Sequence, residues 1–194
     1  MLVDILKKRC SVRNFEDKEI RPDMIDAILE AGRLSPSGGN EQAWKFGVIT
    51  DISLIEQIAE AAYKQSWIKT APLLIVLCTT MVEDERGGRE IQKRRFPKHS
   101  EAISNMDKYL YLALNSEEHQ TKIPGTHMVL QALEYGIYST WISYFEVDKV
   151  SRLLKLPKLC IPSEIIAFGY PADKPSSKDK KCKEEIIFYN KFKE

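Results

Sequence analysis

What the chain lacks narrows the reading before any motif does. It has no apolar run long enough to span a bilayer, and Met1 to Arg9 mixes an aspartate with three basic residues. Neither an export signal nor a membrane anchor is expected from such a start. Cysteine is scarce: Cys10, Cys78, Cys160 and Cys182 lie far apart, with no Cys-x-x-Cys pair. That gives little support to a disulfide framework or a zinc site, and a reducing, cytoplasmic compartment is expected. His99, His119 and His127 have no second ligand at metal spacing, so no metal is assigned. An excess of one charge is missing too: 29 Lys and Arg oppose 28 Asp and Glu, for a net charge of +1. A balance of this kind carries no electrostatic footprint for nucleic acid. P-loop and Rossmann fingerprints are absent, as are internal repeats and low-complexity tracts.

What is present suits one core. With 194 residues, 43% of them hydrophobic, the chain can bury most of its apolar surface, and a single domain over 1–194 is expected. Periodicity predicts short helices over 4–8 and 22–34, a strand over 45–50 and a helix over 53–64. Leu73 to Cys78 is a continuous aliphatic run, as in a central strand covered on both faces. Residues 83–98 are charged, with Gly87-Gly88 and Lys93-Arg94-Arg95, and read as a mobile excursion: a solvated loop or, alternatively, a lid. Helices are expected over 104–116 and 124–135, the latter closed by Gly136. A strand over 137–145, a helix over 148–154, a loop flanked by Pro157 and Pro162, and a strand over 164–168 complete the order. An extended C-terminal arm, 172–194, follows. Strands and helices in this order imply a mixed domain without revealing strand order.

Two stretches carry chemistry. Arg9-Cys10-Ser11-Val12-Arg13 sets two guanidinium groups and a hydroxyl close together, able to meet a phosphate and a ring oxygen. An ordinary basic helix end has the same composition. Pro36-Ser37-Gly38-Gly39-Asn40-Glu41-Gln42-Ala43-Trp44 joins conformationally free glycines to amides that can read the imide edge of a heterocycle, though it also makes a good turn before a strand.

Together the two motifs resemble those of the nitroreductase family of FMN-dependent oxidoreductases: Arg-x-Ser-x-Arg, then Pro-Ser-x-x-Asn-x-Gln-x-Trp. Gly136 to Ser143 is similar to a later glycine-to-Trp-Ile segment of that family, and Gly169-Tyr170-Pro171 with Lys178 and Lys180 to its phosphate end. The resemblance implies an α+β nitroreductase-like fold, with a central, mostly antiparallel sheet flanked by helices, in an intertwined homodimer with FMN at the subunit interface. It implies that Arg9, Cys10, Ser11 and Arg13 hold FMN, with Lys178 and Lys180 adding charge at the phosphate. Pro36, Ser37, Gly38, Asn40 and Gln42 approach from the partner subunit, and Trp141, Ile142 and Ser143 face the isoalloxazine. Taken alone, Trp141 reads as a core-packing aromatic, and Cys10 as a small buried thiol rather than a redox-sensitive thiolate beside two arginines. Cys10 stands where relatives often carry arginine or histidine, and Lys180 where many carry arginine; lysine keeps the charge and loses the fork.

The activity implied is reduction of nitroaromatics, quinones or a related small-molecule acceptor by NADH or NADPH through the flavin, with no catalytic side chain nominated. Flavin fragmentation, reductive dehalogenation and flavin-based redox sensing without turnover are the alternatives. Tyr109, Tyr111 and Phe96 are candidates to line or cover the substrate pocket.

Overall fold

The computed structural model describes residues 2–81, 88–114 and 120–192. Residues 83–87 of the expected excursion, residues 115–116 of the expected helix and His119 lie outside them. The chain opens with α1 (Leu2–Lys8) and α2 (Pro22–Arg33). Proline can start α2 because first-turn N–H groups have no intrahelical acceptor in any case. Next come β1 (Trp44–Ile49), α3 (Ile52–Ala61) and β2 (Leu73–Thr80). The Asp51 carboxylate caps α3, accepting from the Leu54 N–H at 2.7 Å. Asp51→Ala is expected to cost about 1 kcal/mol, a fall in Tm of roughly 2–4 °C, readable in a circular dichroism melt.

Two expectations change in the middle of the chain. The charged segment after Gly88 is not a loop: Gly88–Arg95 forms α4, followed by a 3-10 turn over Pro97–His99. The Arg89 guanidinium anchors it, donating to the carbonyls of Ile103, Ser104 and Met106 at 3.2, 2.9 and 2.7 Å and lying 4.8 Å from the Tyr111 ring centroid. The single helix expected over 104–116 is two, α5 (Ser100–Asn105) and α6 (Lys108–Leu114). Asp107 separates them, because its carboxylate takes the N–H groups of Tyr109 and Leu110 at 2.9 and 3.1 Å and starts a new helix. Those backbone donors, Leu110 foremost, hold the Asp107 pKa below the usual carboxylate value.

Among the described residues there follow α7 (Lys122–Glu134), β3 (Tyr138–Ile142), α8 (Val147–Leu153), β4 (Cys160–Gly169) and α9 (Lys183–Ile186). Gly136 ends α7 with φ +71°, the left-handed closure expected of it. The four strands form an antiparallel sheet in the order β1-β2-β4-β3. Strand β2 is central and buried on both faces, so its side chains divide by parity. Leu73, Ile75 and Leu77 pack with Ile28 of α2 and Met128, Val129 and Ala132 of α7. Leu74, Val76 and Cys78 pack with Ile55, Ile58 and Ala59 of α3 and Val150 of α8.

Pro162 falls inside β4 rather than in a flanking loop. A proline lacks the ladder donor, and the sheet accommodates it with a register shift at Leu77/Cys78, where Leu77 faces Glu164 and Cys78 faces Pro162. The intervening Ser163 donates its hydroxyl to the Leu77 carbonyl at 3.1 Å.

Candidate functional site

The first motif leaves α1 in extended form. Cys10 and Val12 are buried, while Ser11 and Arg13 are exposed, so Arg9, Ser11 and Arg13 share one side of the segment. This stretch is stitched to β3: Ser11 bridges Ser139 in parallel, the Val12 N–H donates to the Ser139 carbonyl at 3.2 Å, and Thr140 Oγ1 donates to the Val12 carbonyl at 2.6 Å. The motif thereby lies beside Trp141-Ile142-Ser143.

The result is an open cleft lined by Arg9, Trp141, Ser143, Glu164 and, from α7, Lys122, Thr126 and Val129. It offers cations, an indole wall and hydroxyls. α7 comes this close to the sheet because Gly125 faces it: a Cβ there would lie 2.5 Å from Trp141 Cη2 and 2.6 Å from Leu77 Cδ1.

Other members of the expected set sit elsewhere. Cys10 and Ile142 are buried in the core, so only their backbones can face a ligand. The Arg13 guanidinium stands 5.8 Å from the Trp67 ring centroid, outside the lining of the cleft. Lys178 and Lys180 are exposed on the C-terminal arm. The arm's root is tied beside the first motif, where Phe15 bridges Pro171, the Ala172 N–H donates to the Asn14 carbonyl at 3.0 Å and Asn14 Nδ2 donates to Asp173 at 2.8 Å.

The second motif does not reach the Arg9 cleft within one chain. Gly39, Asn40 and Gln42 take φ of 58°, 57° and 48°, so the turn demands left-handed backbone at two non-glycine positions as well. The Gln42 N–H donates to Ser37 Oγ at 2.9 Å, Gln42 Nε2 to Asn40 Oδ1 at 3.2 Å, and the Gly38 N–H to Gln120 Oε1 at 2.8 Å. Pro36 is exposed beside buried Ser35, whose hydroxyl meets His127 Nδ1 at 2.7 Å, which explains that histidine in an apolar helix. Ser37 and Gly38 line a different pocket, with Gln92 and Arg95 of α4, Tyr111 of α6 and Gln120. Of the aromatic candidates only Tyr111 lines either pocket; Tyr109 hydrogen-bonds to Asp148, which drives its hydroxyl pKa up to about 12, and Phe96 is exposed.

Sequence reasoning missed Glu164 and Lys122. Glu164 is 2% exposed, with Oε1 3.2 Å from Lys122 Nζ and Oε2 accepting from Ser143 Oγ at 2.5 Å. A lone carboxylate in the apolar run Ile161 to Phe168 was the available signal, since such a charge is buried only with partners.

All four cysteines are free thiols; Cys10, Cys78 and Cys160 are buried and Cys182 is exposed. Burial, then the neighbouring Cys160, pushes the Cys78 thiol well above its ordinary pKa. Iodoacetamide at pH 8 is expected to label Cys182 of the native protein and to reach the other three only after denaturation, as peptide mass spectrometry will report. Rapid labelling of Cys10 would show that the first motif detaches from the sheet.

A motif-bearing cleft against an antiparallel α+β sheet defines a class that can be compared with known proteins. The nitroreductase family model matches residues 6–170, and the chain belongs to that family. It is 26% identical over 177 residues to an NADH dehydrogenase of Thermus thermophilus, covering 86% of this chain and 84% of that protein. Over 176 residues it is 22% identical to an FMN reductase [NAD(P)H] of Bacillus subtilis, covering 91% of this chain and 68% of the relative. An FMN-dependent nitroreductase of Clostridium difficile R20291 shares the fold at a TM-score of 0.72 and 23% identity, covering 98% of this chain and 99% of that one.

Proposed function

We propose that the chain is a single nitroreductase-like domain that binds FMN in the Arg9 cleft and works as an NAD(P)H-dependent oxidoreductase on nitroaromatics, quinones or related electrophiles. The observation that carries this reading is the stitching of the first motif to β3, which unites Arg9, Trp141 and Ser143 in one cleft. The residues suit the group: cations for a phosphate or an imide oxygen, an indole beside a planar ring, and a Ser143 hydroxyl whose proton goes to Glu164 and whose oxygen can accept from a ring N–H. Held there by Arg9, Trp141 and Ser143, FMN would supply hydride chemistry between a nicotinamide and an electron acceptor. The protein's part is to orient both ligands and to set the charge around them. Arg9 fixes the anionic or carbonyl edge, Trp141 and Val129 exclude water along one wall, and Ser143 holds its hydroxyl toward Glu164.

The site is completed by a second copy. Pro36, Ser37, Gly38, Asn40 and Gln42 carry the family's second motif yet line no part of their own chain's Arg9 cleft. Exposed apolar surface supports the same dimer: Leu2, Val3 and Leu6 on α1, and Ile186, Phe188, Tyr189 and Phe192 on the arm. Lys178 and Lys180 on that arm supply charge for the phosphate.

The deciding experiment is the visible spectrum of purified protein titrated anaerobically with NADH and then NADPH. A yellow protein bleached by a nucleotide and recoloured by an acceptor supports the proposal. Flavin bound but reduced by neither nucleotide would make this a flavin-binding module without turnover. Colourless protein that cannot take up FMN would remove the site assignment.

A further inference from the structure

Charged carboxylates are disfavoured inside β-sheets, because protein must replace the water they lose. Glu164 is such a carboxylate, on β4 directly before Ile165 and Ile166. Its partners, Lys122 Nζ at 3.2 Å and Ser143 Oγ at 2.5 Å, satisfy both oxygens, and all three residues line the cleft that holds Arg9 and Trp141. If stability alone were at stake, an aliphatic residue would serve there, since replacing a buried ion pair by well-packed apolar groups is often neutral or stabilising.

We propose that Glu164 is a positioning residue that lowers the reduction potential of the cofactor, by offsetting one of the two cations that line the cleft with it. The inference rests on the reading of this cleft as the FMN site. Arg9 and Lys122 contribute two positive charges and Glu164 one negative, leaving a net charge of +1 along the lining. A flavin that gains two electrons and one proton, the content of a hydride, acquires one negative charge. Cations therefore favour the reduced form and anions the oxidised form. A carboxylate shielded from solvent acts through a lower effective dielectric than a surface charge at the same distance.

Opposite signs at neighbouring residues make the proposal testable. In the full-length FMN-loaded protein, Glu164→Gln should raise the midpoint potential measured by anaerobic dye equilibration. A tenfold gain in relative affinity for the reduced form corresponds to ~30 mV for a two-electron couple. Lys122→Gln should lower the potential, the double variant should return toward the parent value, and Glu164→Asp should retain it. A purely structural role would lower the melting temperature of both single variants without moving their potentials in opposite directions.

FMN affinity is measured in parallel. An unmoved potential in Glu164→Gln that binds FMN normally overturns the inference alone. If Glu164→Gln does not fold, Lys122→Gln decides the sign at a half-exposed position. FMN affinity untouched by Arg9→Ala would remove the cleft reading, and the inference with it.

Discussion

Arg9→Ala is expected to weaken FMN binding by about 10- to 100-fold. A hydrogen bond to a charged group contributes ~1.5–3 kcal/mol, and each ~1.4 kcal/mol is a factor of ten in affinity. The loss is partial because Lys122 supplies a second cation to the same cleft. Fold stability should change little. The Arg9 backbone N–H, which donates to the Ile5 carbonyl at 3.2 Å, survives the substitution. Arg9→Lys separates charge from geometry, since it restores the cation without the planar fork, and should recover part of the affinity. Titration of apoprotein by quenching of FMN fluorescence reads all three proteins, and the difference should shrink as salt is added. Unchanged affinity in Arg9→Ala would place the flavin elsewhere.

Gly125→Ala is expected to destabilise the protein by about 1–3 kcal/mol, the usual cost of forcing an extra methyl into a filled core. For a chain of this size that corresponds to a fall in Tm of roughly 2–4 °C per kcal/mol. The added Cβ would stand 2.5 Å from Trp141 Cη2, 2.6 Å from Leu77 Cδ1 and 3.1 Å from Ile166 Cδ1. Helix α7 must then back away from the sheet or Trp141 must turn. Both responses disturb a wall of the cleft, so FMN affinity should fall together with Tm. Gly136→Ala supplies the contrast. Its φ of +71° strains any Cβ, but among the described residues none beyond its chain neighbours lies within 4 Å of the new methyl. It should lose stability through backbone strain, on the order of 1 kcal/mol, while FMN affinity stays constant. Equal effects of the two alanines on affinity would remove the link between α7 packing and the cleft. Thermal melting of apoprotein with the same fluorescence titration checks both.

The legible features of this chain were local. Pro22 marks the start of α2, Gly136 closes α7, and the run from Leu73 is the central strand; each follows from backbone chemistry within one turn or one strand. The first motif was legible as a cluster of cations because its residues are adjacent. Where reading failed, a contact from outside the window had won. Segment 88–95 is polar enough for a loop, yet Arg89 finds the carbonyls of Ile103, Ser104 and Met106. Pro162 looks like a loop residue, yet a register shift against β2 admits it to the sheet. A long helix was expected across Asp107, where a carboxylate able to cap made two helices more favourable.

The site divides in the same way. The sequence by itself determined which groups are available: Arg9 and Arg13 in one motif, the amides of Asn40 and Gln42 in another, and Trp141-Ile142-Ser143 after a glycine-ended helix. Adjacent residues must stay near one another, so a short motif survives any fold. Only the tertiary structure decided which of these groups meet. The contact between Val12 and Thr140, 128 residues apart, depends on strand pairing, and so does the burial of Glu164 between Lys122 and Ser143. Pairing register is a property of the whole sheet, and a charge in an aliphatic strand acquires its partners only when helix α7 is laid across that sheet.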